Sequence, residues 1–168
     1  MTTLPVPIRF ELPGPDWEAV PPESRGVTNA AFLAVRHGTG DDYEPTITIS
    51  GDWRNDPTTL AEIADESLVL ARAQATDVEL LKRSEMGTEH APGITQLIGA
   101  TIAMNGRTYD LRQAQALTGL VDVEDAGKRV VVIYTLTCTY RQFDTYAPEF
   151  QEFMRTVRVV PDDEAPTS

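Results

Sequence analysis

The sequence predicts an α+β domain built on a twisted antiparallel sheet of about six or seven strands flanked by helices. Three observations carry this. Most of the chain alternates apolar and polar side chains, the period-two signature of half-buried strands. Asn105-Gly106 stands between two such runs, and both residues tolerate positive φ, so those runs form a tight antiparallel hairpin. Only two stretches have helical spacing, one after the early strands and one near the end, which is not the strand–helix alternation of a parallel sheet.

Taken in order, Ile8, Phe10 and Leu12 share one side of an opening strand. A second run spans Val27 to His37 and closes in the polar loop that holds Gly38, Gly40, Asp41 and Asp42. Ile47 and Ile49 alternate with Thr46, Thr48 and Ser50, and Trp53 ends that strand on its apolar face as an expected core residue. The first helix starts after Asp56-Pro57, where Pro suits a first turn and Thr59 with Glu62 forms a capping box. Leu60, Ile63, Ala64, Leu68 and Ala71 make its apolar stripe. Ile94, Ile98 and Ile102 share a face before the hairpin, and Tyr109 and Leu111 alternate after it. In the last strand, Arg129 to Tyr140, one face carries Val130, Val132, Tyr134, Leu136 and Cys138. The other carries Val131 and Ile133, then Thr135, Thr137 and Thr139. The second helix is predicted from Tyr146 to Thr156, with Phe150, Phe153, Met154 and Val157 facing inward, and Trp17 is expected to cap one end of the sheet.

A chain of 168 residues suits one domain, read here as residues 8–160 between a tail of residues 1–7 and an acidic tail of residues 161–168. The net charge of −12 comes with no basic stripe, which argues against nucleic acid and against an anionic membrane surface. Uncharged stretches fall short of the roughly 18 residues of a membrane span, and no signal peptide or lipobox is read at the start. The expected location is cytoplasmic; a mature form already cut from a leader would read the same way. The single Cys138 cannot form an internal disulfide.

No constellation for catalysis emerges. No serine sits in G-x-S-x-G, and His37 and His90 lie in loop-like contexts. Cys138 shares a face with apolar residues and reads as a buried, inert thiol. Asp41, Asp42 and Glu44, like Asp122, Glu124 and Asp125, lack the spacing of a calcium loop, so no metal and no cofactor is expected. Gly38-Thr39-Gly40 has no following Gly-Lys-Ser/Thr and is no phosphate loop. The aromatic residues carry more. Tyr140, Phe143 and Tyr146 fall in the connection between the last strand and the last helix, where they can either clamp the helix or present a binding patch. They are the binding residues expected here, for an unidentified protein partner whose basic surface would complement the chain's charge.

The order of parts resembles the actinobacterial LpqN/LpqT lipoprotein family. The opening strand from Ile8 to Pro13 with its Pro/Gly turn and Trp17 is similar to that family's start. The strand Pro45 to Ile49, the helix from Thr59 to Leu68, the strand Val130 to Tyr140 and the helix Phe150 to Arg155 resemble its later elements. That group shares a fold with PsbP-like proteins, the Ran-binding nuclear import factor and DcrB-type chaperones of secreted effectors. The resemblance implies a PsbP-like fold and a non-enzymatic protein-binding module, accessory or chaperone-like in secretion or effector handling. No catalytic motif travels with it, and the family's signal peptide and lipid-bearing cysteine have no counterpart here. A helix-grip domain binding a small ligand is the alternative, since it too pairs a curved antiparallel sheet with a C-terminal helix.

Overall fold

The computed structural model describes residues 7–27, 30–40, 43–88, 91–104, 106–121 and 127–159. Seven strands form one antiparallel sheet. In chain order they are β2 (Trp17–Val20), β3 (Phe32–Arg36), β4 (Thr46–Trp53), β5 (Thr76–Gly87), β6 (Pro92–Met104), β7 (Arg107–Val121) and β8 (Arg129–Thr139). Their spatial order is β2-β3-β4-β8-β7-β6-β5. A separate two-stranded sheet pairs β1 (Ile8–Arg9) with β9 (Arg158–Val159), so the two ends of the domain meet. The helices are α1 (Leu60–Gln74) and α2 (Phe143–Thr156).

The two helices cover opposite faces of the large sheet, and β8 supplies both cores. Its residues Val130, Val132, Tyr134, Leu136 and Cys138 join Ile47, Ile49, Ala34 and Trp17 beneath Tyr146, Phe150 and Phe153 of α2. Phe10 closes this core edge-on, with ring centroids 4.7 Å from Phe32 and 5.4 Å from Phe153. On the other face, Val131 and Ile133 meet Ile94, Leu117 and the α1 residues Leu60, Ile63 and Ala64. One alternation along a single strand thus fixes which helix lies where.

Local chemistry positions α1. The Thr59 hydroxyl accepts from the Glu62 amide at 3.1 Å while the Glu62 carboxylate accepts from the Thr59 amide at 3.3 Å, completing the expected capping box. Arg54 grips both carboxylate oxygens of Glu66 at 2.9 and 2.8 Å and also bonds Asp56, which holds both acids below their ordinary carboxylate range. The Arg54 amide donates to the Arg129 carbonyl at 2.7 Å, so the entry to α1 is tied to the start of β8.

A polar ladder runs beneath α1. Asp65 on the helix pairs with Arg83 of β5 at 2.9 Å, and Arg83 donates twice to the Gln96 side-chain carbonyl. The Gln96 amide donates to Gln115 of β7 at 2.7 Å and to the Ala64 carbonyl of α1 at 3.2 Å, and Gln115 donates on to Thr135 of β8. Gln96 is only 4% exposed, yet its side-chain groups all find partners, as a buried amide must.

The hairpin at Asn105-Gly106 forms as expected: Met104 pairs with Arg107 and Gly106 has φ of 76°. Asn105 itself lies outside the described residues. Three strands have no counterpart in the sequence reading, namely β2, β5 and β9, and the opening strand shortens to Ile8–Arg9, with Phe10 and Leu12 packed on the core beyond it. The run Val27 to His37 is strand only at Phe32–Arg36. Trp53 corrects an expectation. It is on the α2 side of the sheet, opposite Val130, but at the strand's end, beyond the core, and is 51% exposed.

The ladder gives a stability prediction. Gln96→Ala takes the donor from the Gln115 amide oxygen, the acceptor from Arg83 and the second donor from the helical Ala64 carbonyl, all at a buried position, which costs about 2 kcal/mol. At about 2–4 °C per kcal/mol for a domain of this size, calorimetry should show the melting midpoint falling by about 4–8 °C. A change under about 1 °C would show that the ladder contributes nothing.

Candidate functional site

The turn between β8 and α2 is built around Gln142. Its side-chain oxygen accepts from the Thr139 amide at 3.0 Å, its amide nitrogen donates to the Tyr43 carbonyl at 2.8 Å, and its backbone carbonyl accepts from the amides of Thr145 and Tyr146. Gln142 is 4% exposed, so this turn is a fixed corner. Tyr140 projects from it and is 60% exposed. Its amide donates to the Asp110 carbonyl at 2.7 Å, and the Arg112 guanidinium lies 4.7 Å from its ring centroid.

The other two expected binding residues are placed differently. Phe143 and Tyr146 belong to α2, which starts three residues earlier than Tyr146, and not to a connection. The reason lies at Pro148: it removes one helical donor, yet the Gln142 corner supplies enough bonds to start the helix ahead of it. Tyr146 is buried in the core, with the Arg36 guanidinium 5.4 Å from its ring, and Phe143 is half-buried against the same core. Of the three, Tyr140 alone is presented to solvent.

Beside Tyr140, on the α2 side of the sheet, lies a pocket of about 420 Å³. Asp77, Glu79 and Leu81 of β5, Gly99 and Thr101 of β6, and Asp110 and Arg112 of β7 line it. Arg112 is committed: it bonds the Asp110 carboxylate at 2.7 Å and the Leu111 carbonyl at 3.0 Å. The glycine matters here, because a Cβ at Gly99 would stand 3.2 Å from both Arg112 Nη1 and Leu81 Cδ1, so a side chain would crowd the pocket floor. Asp77 has φ of 52° at a bulge where β5 slips its register against β6. The pocket therefore combines the small and apolar Gly99, Ala100 and Leu81 with the carboxylates of Asp77, Glu79 and Asp110, and its Arg112 connects it to the Tyr140 ring.

It continues along a part of the sheet that no helix among the described residues covers. α2 packs against β8 and its neighbours, while α1 covers the opposite face of β5, β6 and β7. On the α2 side, the register aligns Met86, Gly93 and Thr118 in one row and Lys82, Leu97 and Ala114 in another. Leu81 is 42% and Met86 55% exposed.

His37 lies between Glu44, at 2.9 Å from Nδ1, and Glu18, at 3.6 Å from Nε2. No serine or cysteine nucleophile adjoins this arrangement in the hydrogen bonds of the described residues. His90, Asp41, Asp42, Asp122, Glu124 and Asp125 lie outside the described residues, and among those described no group of three or more His, Cys, Asp or Glu side chains is placed to hold a metal. Cys138 is fully buried, and burial, offset in part by Arg112, pushes its thiol up to about 12. No helix among the described residues is long and apolar enough to cross a membrane.

Among solved structures, the chain is similar to LpqN of Mycobacterium tuberculosis, a protein involved in cell envelope biogenesis. The TM-score is 0.63 at 15% identity, over 94% of this chain and 86% of that one. It is also similar to PA94 of Pseudomonas aeruginosa, a protein of unknown function, with a TM-score of 0.54 and 21% identity over 92% and 88% of the two chains. Cyanobacterial PsbP from Synechocystis follows, with a TM-score of 0.55 and 11% identity over 86% and 82%. The fold is PsbP-like. At these identities the likeness shows the fold alone. No family model matches the chain, and no curated protein matches it.

The buried thiol yields a prediction. An unfolded cysteine ionises near pH 8.5 whereas the folded Cys138 stays protonated to about 12, so the unfolded state sheds its proton first and stability falls as pH rises above about 8.5. At pH 8 a bulky disulfide reagent should label Cys138 at least about 100-fold more slowly in buffer than in guanidinium. Labelling in buffer within tenfold of the denatured rate would contradict its burial.

Proposed function

We propose that the chain is a non-enzymatic polypeptide-binding module, accessory or chaperone-like, and that it receives a basic, apolar-flanked segment of a partner protein. The observation that carries this is the bare strip of sheet on the α2 side, which runs from Met86 past Leu97 to the Tyr140 pocket. Its centre offers apolar and small side chains, and its end offers Asp77, Glu79 and Asp110. With Asp110 already paired to Arg112, the unpaired excess among the described residues at this end is Asp77 and Glu79. It suits a cationic segment because the rim charges steer the encounter while Leu97, Met86 and their small neighbours supply the grip. The net charge of −12 adds to that steering. Phe143 and Tyr146 serve the site from beneath, by fixing the helix start that sets Tyr140 in place.

Membership of the LpqN/LpqT-like family is part of this reading, supported by the shared fold with LpqN and by the order of elements. The location that accompanies a partner-handling role is the cytoplasm. Fractionation of the host checks it, and recovery in the envelope fraction would align the protein with LpqN instead.

The test uses two labelled peptides of equal length, one of Lys, Arg and Leu and one with Glu in place of the basic residues. Fluorescence anisotropy should detect binding of the basic peptide only, weakening as salt rises. Tyr140→Ala should weaken it at least fivefold, about 1 kcal/mol, with an unchanged melting midpoint. Phe143→Ala should lower both affinity and midpoint, since that ring packs on the core. Equal binding of both peptides, binding of neither, or full affinity in Tyr140→Ala would overturn the reading.

A further inference from the structure

The corner that holds Tyr140 is connected to an ionisable cluster on the far side of the loop between β3 and β4. Gln142 donates to the Tyr43 carbonyl, and the next residue along the chain is Glu44. Glu44 accepts a 2.9 Å hydrogen bond from His37 Nδ1 and lies 3.4 Å from Arg25. The other ring nitrogen of His37 faces Glu18 of β2 at 3.6 Å. The His37 backbone is itself clamped: its amide donates to the Asp16 carbonyl at 2.9 Å, and its carbonyl accepts from Arg36. Arg36 in turn lies 3.5 Å from Asp16 and 3.6 Å from Glu149 of α2, whose carboxylate also accepts from the Trp17 indole at 3.0 Å.

We propose that His37 is a proton-responsive latch on the loop that braces the Tyr140 corner. The chemistry follows from the ring's two nitrogens. A neutral imidazole carries one N–H, so it can donate to Glu44 and must then turn a lone pair toward the Glu18 carboxylate. The doubly protonated ring donates on both sides and suits both carboxylates. Gaining the second proton therefore sets the latch and losing it releases the latch, and imidazole is the side chain whose charge ordinarily changes between pH 5 and 8. The charged groups around it among the described residues are Glu18, Glu44, Arg25, Asp16, Arg36 and Glu149. When the ring loses its proton, Glu44 is held by Arg25 and one neutral donor, and Tyr43, which packs its ring 5.5 Å from Tyr109 and accepts from Gln142, loses part of its anchor. The corner beneath Tyr140 then loosens.

This concerns the free protein, so its outcome is separate from that of the peptide-binding reading. The experiment compares the wild type with His37→Gln and Glu44→Gln at pH 5.5 and pH 8.0, by thermal melting and by amide hydrogen exchange. Each variant should lower the melting midpoint by about 2 °C at pH 5.5 and by less than about 0.5 °C at pH 8.0, a size suited to half-exposed ion pairs. Protection factors of the Gln142 and Phe143 amides should fall about threefold in each variant at pH 5.5 and stay level at pH 8.0. Equal midpoint shifts at the two pH values would overturn the proton dependence. A pH-dependent midpoint with unchanged protection at Gln142 and Phe143 would overturn the connection to the Tyr140 corner.

Discussion

The structure depends on the two-sided use of β8. Five residues, Val130 through Cys138 at every second position, face α2, while Val131 and Ile133 face α1. Because side chains alternate strictly along a strand, a shift of one residue in its pairing would exchange the two sets and strip both helices of their floor. The ladder from Asp65 through Arg83, Gln96 and Gln115 to Thr135 guards against that shift. It bonds four neighbouring strands and one helix at a single level of the sheet, and a slipped register would leave its amides buried without partners. Apolar packing supplies most of the stabilisation and the ladder selects the arrangement.

The same economy of helices leaves part of the molecule uncovered. Seven strands are wider than one helix, and α2 lies over β8 and its β4 side, where Phe10 and Trp17 complete the layer. The N-terminal segment is drawn there by β1 pairing with β9 and by the Glu11 amide donating to the Thr156 hydroxyl at 2.9 Å. Among the described residues, nothing comparable reaches β5 and β6 on that side. A bare sheet surface with exposed Leu81 and Met86 would be a liability at an unguarded edge. Here the β5 edge carries Asp77, Glu79, Lys82, Arg83 and Glu85 and is bent by bulges, devices that discourage pairing with other strands. The edge is thus defended while the face beside it stays open among the described residues, which is the contrast the proposed face-on binding rests on.

Much of this was legible in the sequence, and the failures have physical causes. The capping box at Thr59, the hairpin at Asn105-Gly106 and both faces of β8 follow from local chemistry and period-two burial, which act within a few residues. β5 escaped because an edge strand half in solvent need not alternate: Glu79, Lys82 and Glu85 are exposed on both faces, so its residues carry little burial pattern to read. Trp53 followed the alternation correctly onto the α2 side but not the extent of the helix above it, which the sequence does not encode locally. For the site, Tyr140, Phe143 and Tyr146 were singled out by density alone. The Gln142 corner, which buries Tyr146 and exposes Tyr140, rests on a bond to Tyr43 across 99 residues of separation. The lining of the pocket from β5, β6 and β7 is likewise a product of pairing, with no motif in any one strand.

If β8 fixes both layers, its amides should open only when the whole domain does. Native-state hydrogen exchange across a denaturant series measures this residue by residue. The amides of Val131 to Leu136 should exchange with the free energy and denaturant dependence of global unfolding, and those of β5 at the edge with lower values of both. Exchange of the central β8 amides through a smaller, denaturant-independent opening, while α1 or α2 remained protected, would contradict the account.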